Sequence, residues 1–273
     1  MEVNVLEKEG NSLNFFISGI STPMANALRR IMIAEVPSMA IDDVVIIENT
    51  SMMNDEVLAL RLGLIPLKSD LDSYVPPEEC TCQSELGCNK CSVTLTLEAE
   101  AEEETRTVYS RELKSSDADI FPVSGDIPIL KLAHGQKIRL EAYAKLGRGK
   151  VHAKWQPVSA CTHKYASAIS IDRRECDLCG RCIEACSRNI LRADGEKIIV
   201  SEAEKCDLCE ECMKACPIDA IRVERIRDSF IFTIESTGAL TPERVVYEAN
   251  RILKDKTTEF HEQLLKIKPG GDN

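Results

Sequence analysis

Hydrophobic and polar positions alternate at the start of the chain, in "VNVLE" and "LNFFISG", with Gly10-Asn11 between them, which predicts a β-hairpin. The period then changes. Thr22 stands as an N-cap before Pro23, a favoured first helical residue, and Met24, Leu28, Ile31 and Glu35 recur on one helical face. Ala27 and Ala34 widen that stripe, and Pro37 ends the helix. "MAIDDVVIIENT" (39–50) returns to a strand pattern, and a second short helix starts near Asn54-Asp55, covers "EVLALRLG" and stops at Gly63. Residues 92–99, 105–110 and 137–145 alternate as strands, so 50–165 reads as a β-rich insert. Within it, "LDSYVPPEECTCQSELGCNKC" carries too little apolar density to hold one conformation unaided.

The end of the chain is again regular. "DSFIFTIEST" (228–237) predicts a strand, and Thr241-Pro242-Glu243 opens a helix that runs to about Ile267. Val246, Ala249, Leu253, Phe260, Leu264 and Ile267 form its stripe, and Lys256-Thr257 interrupts it near the middle. A helix this long must bury such a stripe, either on its own domain or on a partner.

Composition narrows the function classes. Lys and Arg number 34 against 45 Asp and Glu, a net charge of −11, whereas a protein that grips nucleic acid usually needs a basic face to neutralise phosphate. Strong direct nucleic-acid binding is therefore not expected. Arg29-Arg30 and "KLGRGK" (145–150) are the short basic spots that remain. The acidic start, Met1-Glu2-Val3-Asn4, is unlike a signal peptide, and no apolar run approaches the ~20 residues of a membrane span. A cytoplasmic protein without membrane contact is the expectation.

The 13 cysteines of a chain read as cytoplasmic point to metal rather than disulfides. "CDLCGRCIEAC" (176–186) and "CDLCEECMKACP" (206–217) each space four cysteines as x2, x2, x3. Zinc sites usually pair two Cys-x2-Cys halves, so three thiols at this pitch plus a fourth favour iron–sulfur clusters. The segment resembles two-cluster ferredoxins of the bacterial type over about 55 residues. That resemblance implies a crossed ligand set. Cys176, Cys179, Cys182 and Cys216 would hold one [4Fe-4S] cluster, and Cys206, Cys209, Cys212 and Cys186 the other.

A third group, Cys80, Cys82, Cys88 and Cys91, offers four thiolates for one tetrahedral zinc; a disulfide formed on oxidation or a metal-free loop are the alternatives. Cys161, near His163, reads as a lone structural thiol.

The flanks of the cysteine module carry a second resemblance. "NALRRIMIAEVPSMAID" (26–42), "DEVLALRLGLIPL" (55–67) and "GKVHAKWQPVS" (149–159) resemble the signatures of the platform-subunit family of cellular RNA polymerases. The family comprises the archaeal D subunits, the bacterial alpha subunits and their eukaryotic third-subunit relatives. The terminal strand and helix are similar too. Some archaeal members carry a ferredoxin-like insert.

The resemblance implies an α+β chain with three parts. Residues 1–48 and 225–273 would form a discontinuous, alpha-subunit-like dimerisation domain, 49–165 a β-rich insert with the 80–91 loop, and 166–224 a ferredoxin-like domain. It implies no catalytic residues of the chain's own. The partner would be the small L subunit, followed by the N and P subunits and the large catalytic subunits, and Arg29 and Arg30 would be contacts to a neighbouring subunit or a solvated face. Eukaryotic relatives hold zinc on a shorter cysteine spacing, from which the x5 gap between Cys82 and Cys88 departs. The clusters would stabilise the insert and tune assembly. The alternative is a ferredoxin-type electron-transfer subunit of a redox enzyme.

Overall fold

A computed structural model describes residues 1–267. In chain order the elements begin with β1 (Glu2–Glu9), β2 (Ser12–Ser18), α1 (Thr22–Ala34), β3 (Pro37–Asn49) and α2 (Asp55–Gly63). Then come β4 (Ser92–Glu100), β5 (Arg106–Tyr109), β6 (Lys114–Ser115), β7 (Pro128–Leu132) and β8 (Lys137–Arg148). The rest are β9 (Val158–Ile171), α3 (Arg181–Ala185), β10 (Leu191–Asp194), β11 (Lys197–Val200), α4 (Glu211–Lys214), β12 (Ile221–Ser236) and α5 (Pro242–Lys266). The chain divides into two compact units, and β2, α1, β9 and β12 have residues in both.

The first unit contains residues 1–9, 13–27 and 162–233. Its sheet has the order β1-β2-β12-β9. Leu13, Phe15 and Ile17 alternate into the interior along β2, as a half-buried strand requires, and Phe15 stacks on Phe232 with ring centroids 5.1 Å apart. Beyond the sheet lies a cysteine-bearing module with an internal repeat visible in its backbone. Leu178 and Leu208, Gly180 and Glu210, and Asn189 and Asp219 all adopt positive φ, each pair at matching places in the two motifs. Each motif then forms one short helix, α3 or α4, and continues into a strand, β10 or β12. β10 and β11 close an antiparallel hairpin, Leu191 opposite Val200.

The second unit contains residues 10–12, 28–161 and 234 onward. Its main sheet, β3-β8-β4-β6, is antiparallel throughout, and β5 pairs antiparallel with β7. Val93, Leu95, Leu97 and Ala99 on β4 and Ile138, Leu140, Ala142 and Ala144 on β8 face one core. Leu58 and Leu62 of α2 pack into the same core. Truncating a fully buried leucine such as Leu95 to Ala would cost about 2–5 kcal/mol. Gly147 admits the indole of Trp155, because a Cβ there would come within 2.4 Å of the ring. β3 bulges at Asp42, where Lys154 holds both the Ile41 carbonyl (3.1 Å) and the Asp42 carboxylate (2.6 Å).

Three expectations need correction. α1 buries Ala25, Ile31 and Met32 while Met24 stays exposed, so its covered face is turned from the expected stripe. α5 is not interrupted at Lys256-Thr257: the Thr257 hydroxyl donates back to the Leu253 and Lys254 carbonyls, at 3.0 and 2.8 Å, and the helix continues. Lys145 is no surface basic spot. It is 7% exposed and pairs with Asp43 at 2.5 Å.

Candidate metal centres and partner surface

The eight cysteines of the twin motifs gather into two rings. Cys176, Cys179, Cys182 and Cys216 line one cavity, walled by Ile171, Ile198 and Ile221. Cys186, Cys206, Cys209 and Cys212 line the other, walled by Ile169, Leu191 and Val223. In each ring three thiols come from one motif and the fourth from its twin. The reason lies in the local backbone: left-handed residues between the cysteines turn the chain so that successive thiols converge, and α3 and α4 then carry Cys182 and Cys212 inward.

Burial pushes the Cys182 and Cys212 thiols above their ordinary value, and the neighbouring thiols of the same ring add to the shift. Backbone N–H groups point at sulfur in both rings, from Ala220 to Cys216 (3.3 Å) and from Leu208 to Cys206 (3.5 Å). Apolar walls, four converging soft ligands and N–H···S bonds are the donor chemistry that iron–sulfur clusters use. The residues present fit such a group.

The 80–91 loop also closes on itself. The sulfurs of Cys80, Cys82, Cys88 and Cys91 all lie within 4.8 Å of one another. Cys80–Cys88 and Cys82–Cys91 are 3.7 Å apart and Cys88–Cys91 3.8 Å. Four sulfurs about 2.3 Å from one zinc stand about 3.8 Å apart along tetrahedral edges, so the loop fits a zinc ion. All thirteen cysteines are thiols.

The backbone N–H of Lys90 holds the Cys88 thiol down, to about 7, and burial pushes Cys91 up, to about 12. Gly87 sits at φ +90, where a Cβ would come within 2.6 Å of Ser92 and 3.2 Å of the Cys91 sulfur. Lys145, from β8, donates to the Glu85 carbonyl at 2.8 Å and so fastens the loop. Cys161 is buried, with its thiol pushed up to about 11 by that burial.

Sequence reasoning missed Lys145 and also Lys164, which donates to the Cys206 carbonyl (3.0 Å) and pairs with Asp207 (3.2 Å). No spacing rule flags a lysine on a strand as the partner of a distant loop.

α5 supplies a different kind of surface. Its first half is anchored: Thr241 caps it, Arg244 forks onto Asp72 at 2.7 and 2.9 Å, and fully buried Glu248 is clamped by Arg244 and Arg251 at 2.8 and 2.9 Å. Its second half is uncovered. Ala249 is buried and Val246 and Leu253 are partly covered, but Phe260 is 64% exposed and Leu264, Leu265 and Ile267 are also exposed. Among the described residues no helix is long and apolar enough to cross a membrane.

With this geometry in view, comparison with known proteins is specific. Residues 14–257 match the family described as the RNA polymerase Rpb3/Rpb11 dimerisation domain. The DNA-directed RNA polymerase subunit Rpo3 of Methanosarcina acetivorans is 43% identical over 95% of this chain and 97% of its own length. That of Methanothermobacter thermautotrophicus is 43% identical over 99% of this chain and all of its own. The DNA-directed RNA polymerase II subunit rpb3 of Dictyostelium discoideum is 37% identical over 96% and 94%. The match to the family spans both compact units, and this chain belongs to the family of the RNA polymerase Rpb3/Rpb11 dimerisation domain.

Proposed function

We propose that the chain is the non-catalytic platform subunit of an archaeal RNA polymerase, and that it pairs with a small L-type subunit to begin assembly of the enzyme. The observation that carries this reading is the uncovered apolar end of α5, Phe260, Leu264 and Ile267, in a member of a dimerisation family. An obligate heterodimer interface needs such a contiguous apolar surface. The N and P subunits and the large catalytic subunits would join afterwards, in the cytoplasm. The net charge of −11 argues for protein partners rather than nucleic acid.

The division of labour follows the sequence borders: 1–48 with 225–273 for dimerisation, 49–165 as a β-rich insert, and 166–224 as a ferredoxin-like domain. Two [4Fe-4S] clusters are held by the crossed cysteine sets and one zinc by Cys80, Cys82, Cys88 and Cys91. The two four-cysteine cavities and the sulfur spacing of the loop support these assignments. When bound, the metal groups supply folding free energy to segments with small cores of their own. The electron-transfer alternative draws no support from relatives that are named as polymerase subunits.

The test is anaerobic affinity purification of the tagged chain from its native cell, with iron, sulfide and zinc assayed in the same sample. Large polymerase subunits, a small partner and all three elements are expected. A reductase or dehydrogenase in their place would sink the platform reading.

A further inference from the structure

The two thiol rings are built by matching motifs but are not held alike. Asp177 and Asp207 occupy the same place in the two "CDLC" stretches. Asp177 turns inward and accepts from the Cys179 backbone N–H at 3.1 Å, within its own loop. Asp207 turns outward and pairs with Lys164 (3.2 Å) and with Arg188. The same Lys164 ammonium donates to the carbonyl of Cys206 at 3.0 Å, across 42 residues of sequence. Ser167, also on β9, donates to the Ala203 carbonyl at 2.8 Å and fastens the approach to that cysteine. The first ring's approach is held by its own turn: Cys176 N–H donates to the Asp172 carbonyl at 3.0 Å and Arg174 N–H to the Asp172 carboxylate at 2.9 Å.

We propose that Lys164 and Ser167 are positioning residues for the second ring, registering its Cys206–Cys212 loop on strand β9 by side-chain bonds, while both rings keep apolar contacts to the sheet. The proposal rests on the iron–sulfur reading above. Charge-assisted bonds are the stronger kind, and partners that orient ligands typically change metal affinity by about 10–100-fold when removed. Lys164 has both properties: it bonds a ligand residue's backbone and the carboxylate beside it. The strand thus does for the second loop what Asp172 does for the first.

The experiment follows iron release from the anaerobically purified full chain on addition of an iron chelator. Cys182→Ser and Cys212→Ser each leave one ring whole and assign the two kinetic phases. Lys164→Met is expected to speed the phase of the second ring about tenfold and to leave the other within twofold, with Lys164→Arg restoring most of the loss. Where Lys164→Met fails to fold, Ser167→Ala carries the same test with an acceleration of about threefold. Unchanged phases, or equal acceleration of both, overturn the proposal. A wild-type chain without iron and labile sulfide overturns the iron–sulfur reading itself, and that outcome is seen before any variant is made.

Discussion

The ammonium of Lys145 donates to the backbone carbonyl of Glu85 at 2.8 Å, so a buried strand residue holds the loop that carries four clustered thiols. Asp43 pairs with the same ammonium at 2.5 Å and keeps its charge compensated. Replacing Lys145 with Met leaves the Glu85 carbonyl without this donor and loosens the cysteine loop. Zinc affinity, read by competition with a chromophoric chelator, is expected to fall about tenfold or more. An affinity equal to that of the wild type would show that the loop orders itself without the lysine.

Phe260 and Leu264 touch little in this chain, so Phe260→Asp with Leu264→Asp is expected to leave thermal unfolding of the isolated chain unchanged within about 0.5 kcal/mol. Binding to the small partner subunit is expected to weaken by about 2 kcal/mol or more, as for anchors at the centre of an interface. Titration calorimetry distinguishes the cases. Undiminished affinity would move the interface elsewhere.

How much of this was legible in the residues depends on the range of the interactions. The cysteine spacing and the Thr241-Pro242 helix start are local signals, and each led to its element. β7 was missed because "PILKL" is short and starts with proline, and its register comes from pairing with β5 across an intervening loop. The turned face of α1 was missed because alanines beside Leu28, Ile31 and Ile33 make a wide apolar stripe, and the packing of Met32 decides which part is covered. Lys145 read as one charge in a basic run. Alternation along β8 puts Lys145 on the face opposite Ala142, Ala144 and Leu146, and its burial follows instead from Asp43 on β3 and the Glu85 carbonyl of the loop, a tertiary fact. Asp177 and Asp207 sit in the same "CDLC" stretch and differ through the distant Lys164 and Arg188.

Glu210 stands at φ +63 where the twin motif has Gly180. A side chain in the left-handed region costs about 1–2 kcal/mol, and glycine gives back about 0.5–1 kcal/mol through its freer unfolded chain. Glu210→Gly is therefore expected to stabilise the module by about 0.5–1 kcal/mol. The urea midpoint of the module's unfolding, followed by far-ultraviolet circular dichroism, should rise. A lower midpoint would mean that the Glu210 side chain contributes more than its backbone costs.

Tyr74 donates a short hydrogen bond to Asp117, which holds that carboxyl below the usual range, while burial, followed by the Asp117 bond, raises the Tyr74 phenol. The signs give a window. Asp117 is more acidic in the fold, so its contribution is present above the unfolded value of about 4 and is lost as pH falls through the folded one. Tyr74 is less acidic in the fold, so its contribution is present below about 10 and is lost at higher pH. Tyr74→Phe is expected to cost about 1 kcal/mol across the plateau and progressively less on either side. Trp155, the single tryptophan, lies in the same unit and reports the unfolding by fluorescence. A cost that does not vary between pH 3 and 7 would contradict the assignment.

The exchange of one cysteine between the twin motifs sets a timetable for synthesis. Cys176, Cys179 and Cys182 leave the ribosome first, yet their ring lacks its last member until Cys216 emerges. The other ring already holds Cys186 but waits for Cys212. Neither half of the module can finish a ring by itself, and both rings become whole almost together, as the second motif ends. A chain stalled or cleaved between the motifs presents open thiols and no complete ring of four, so completeness of the module is decided only when its last dozen residues have been made.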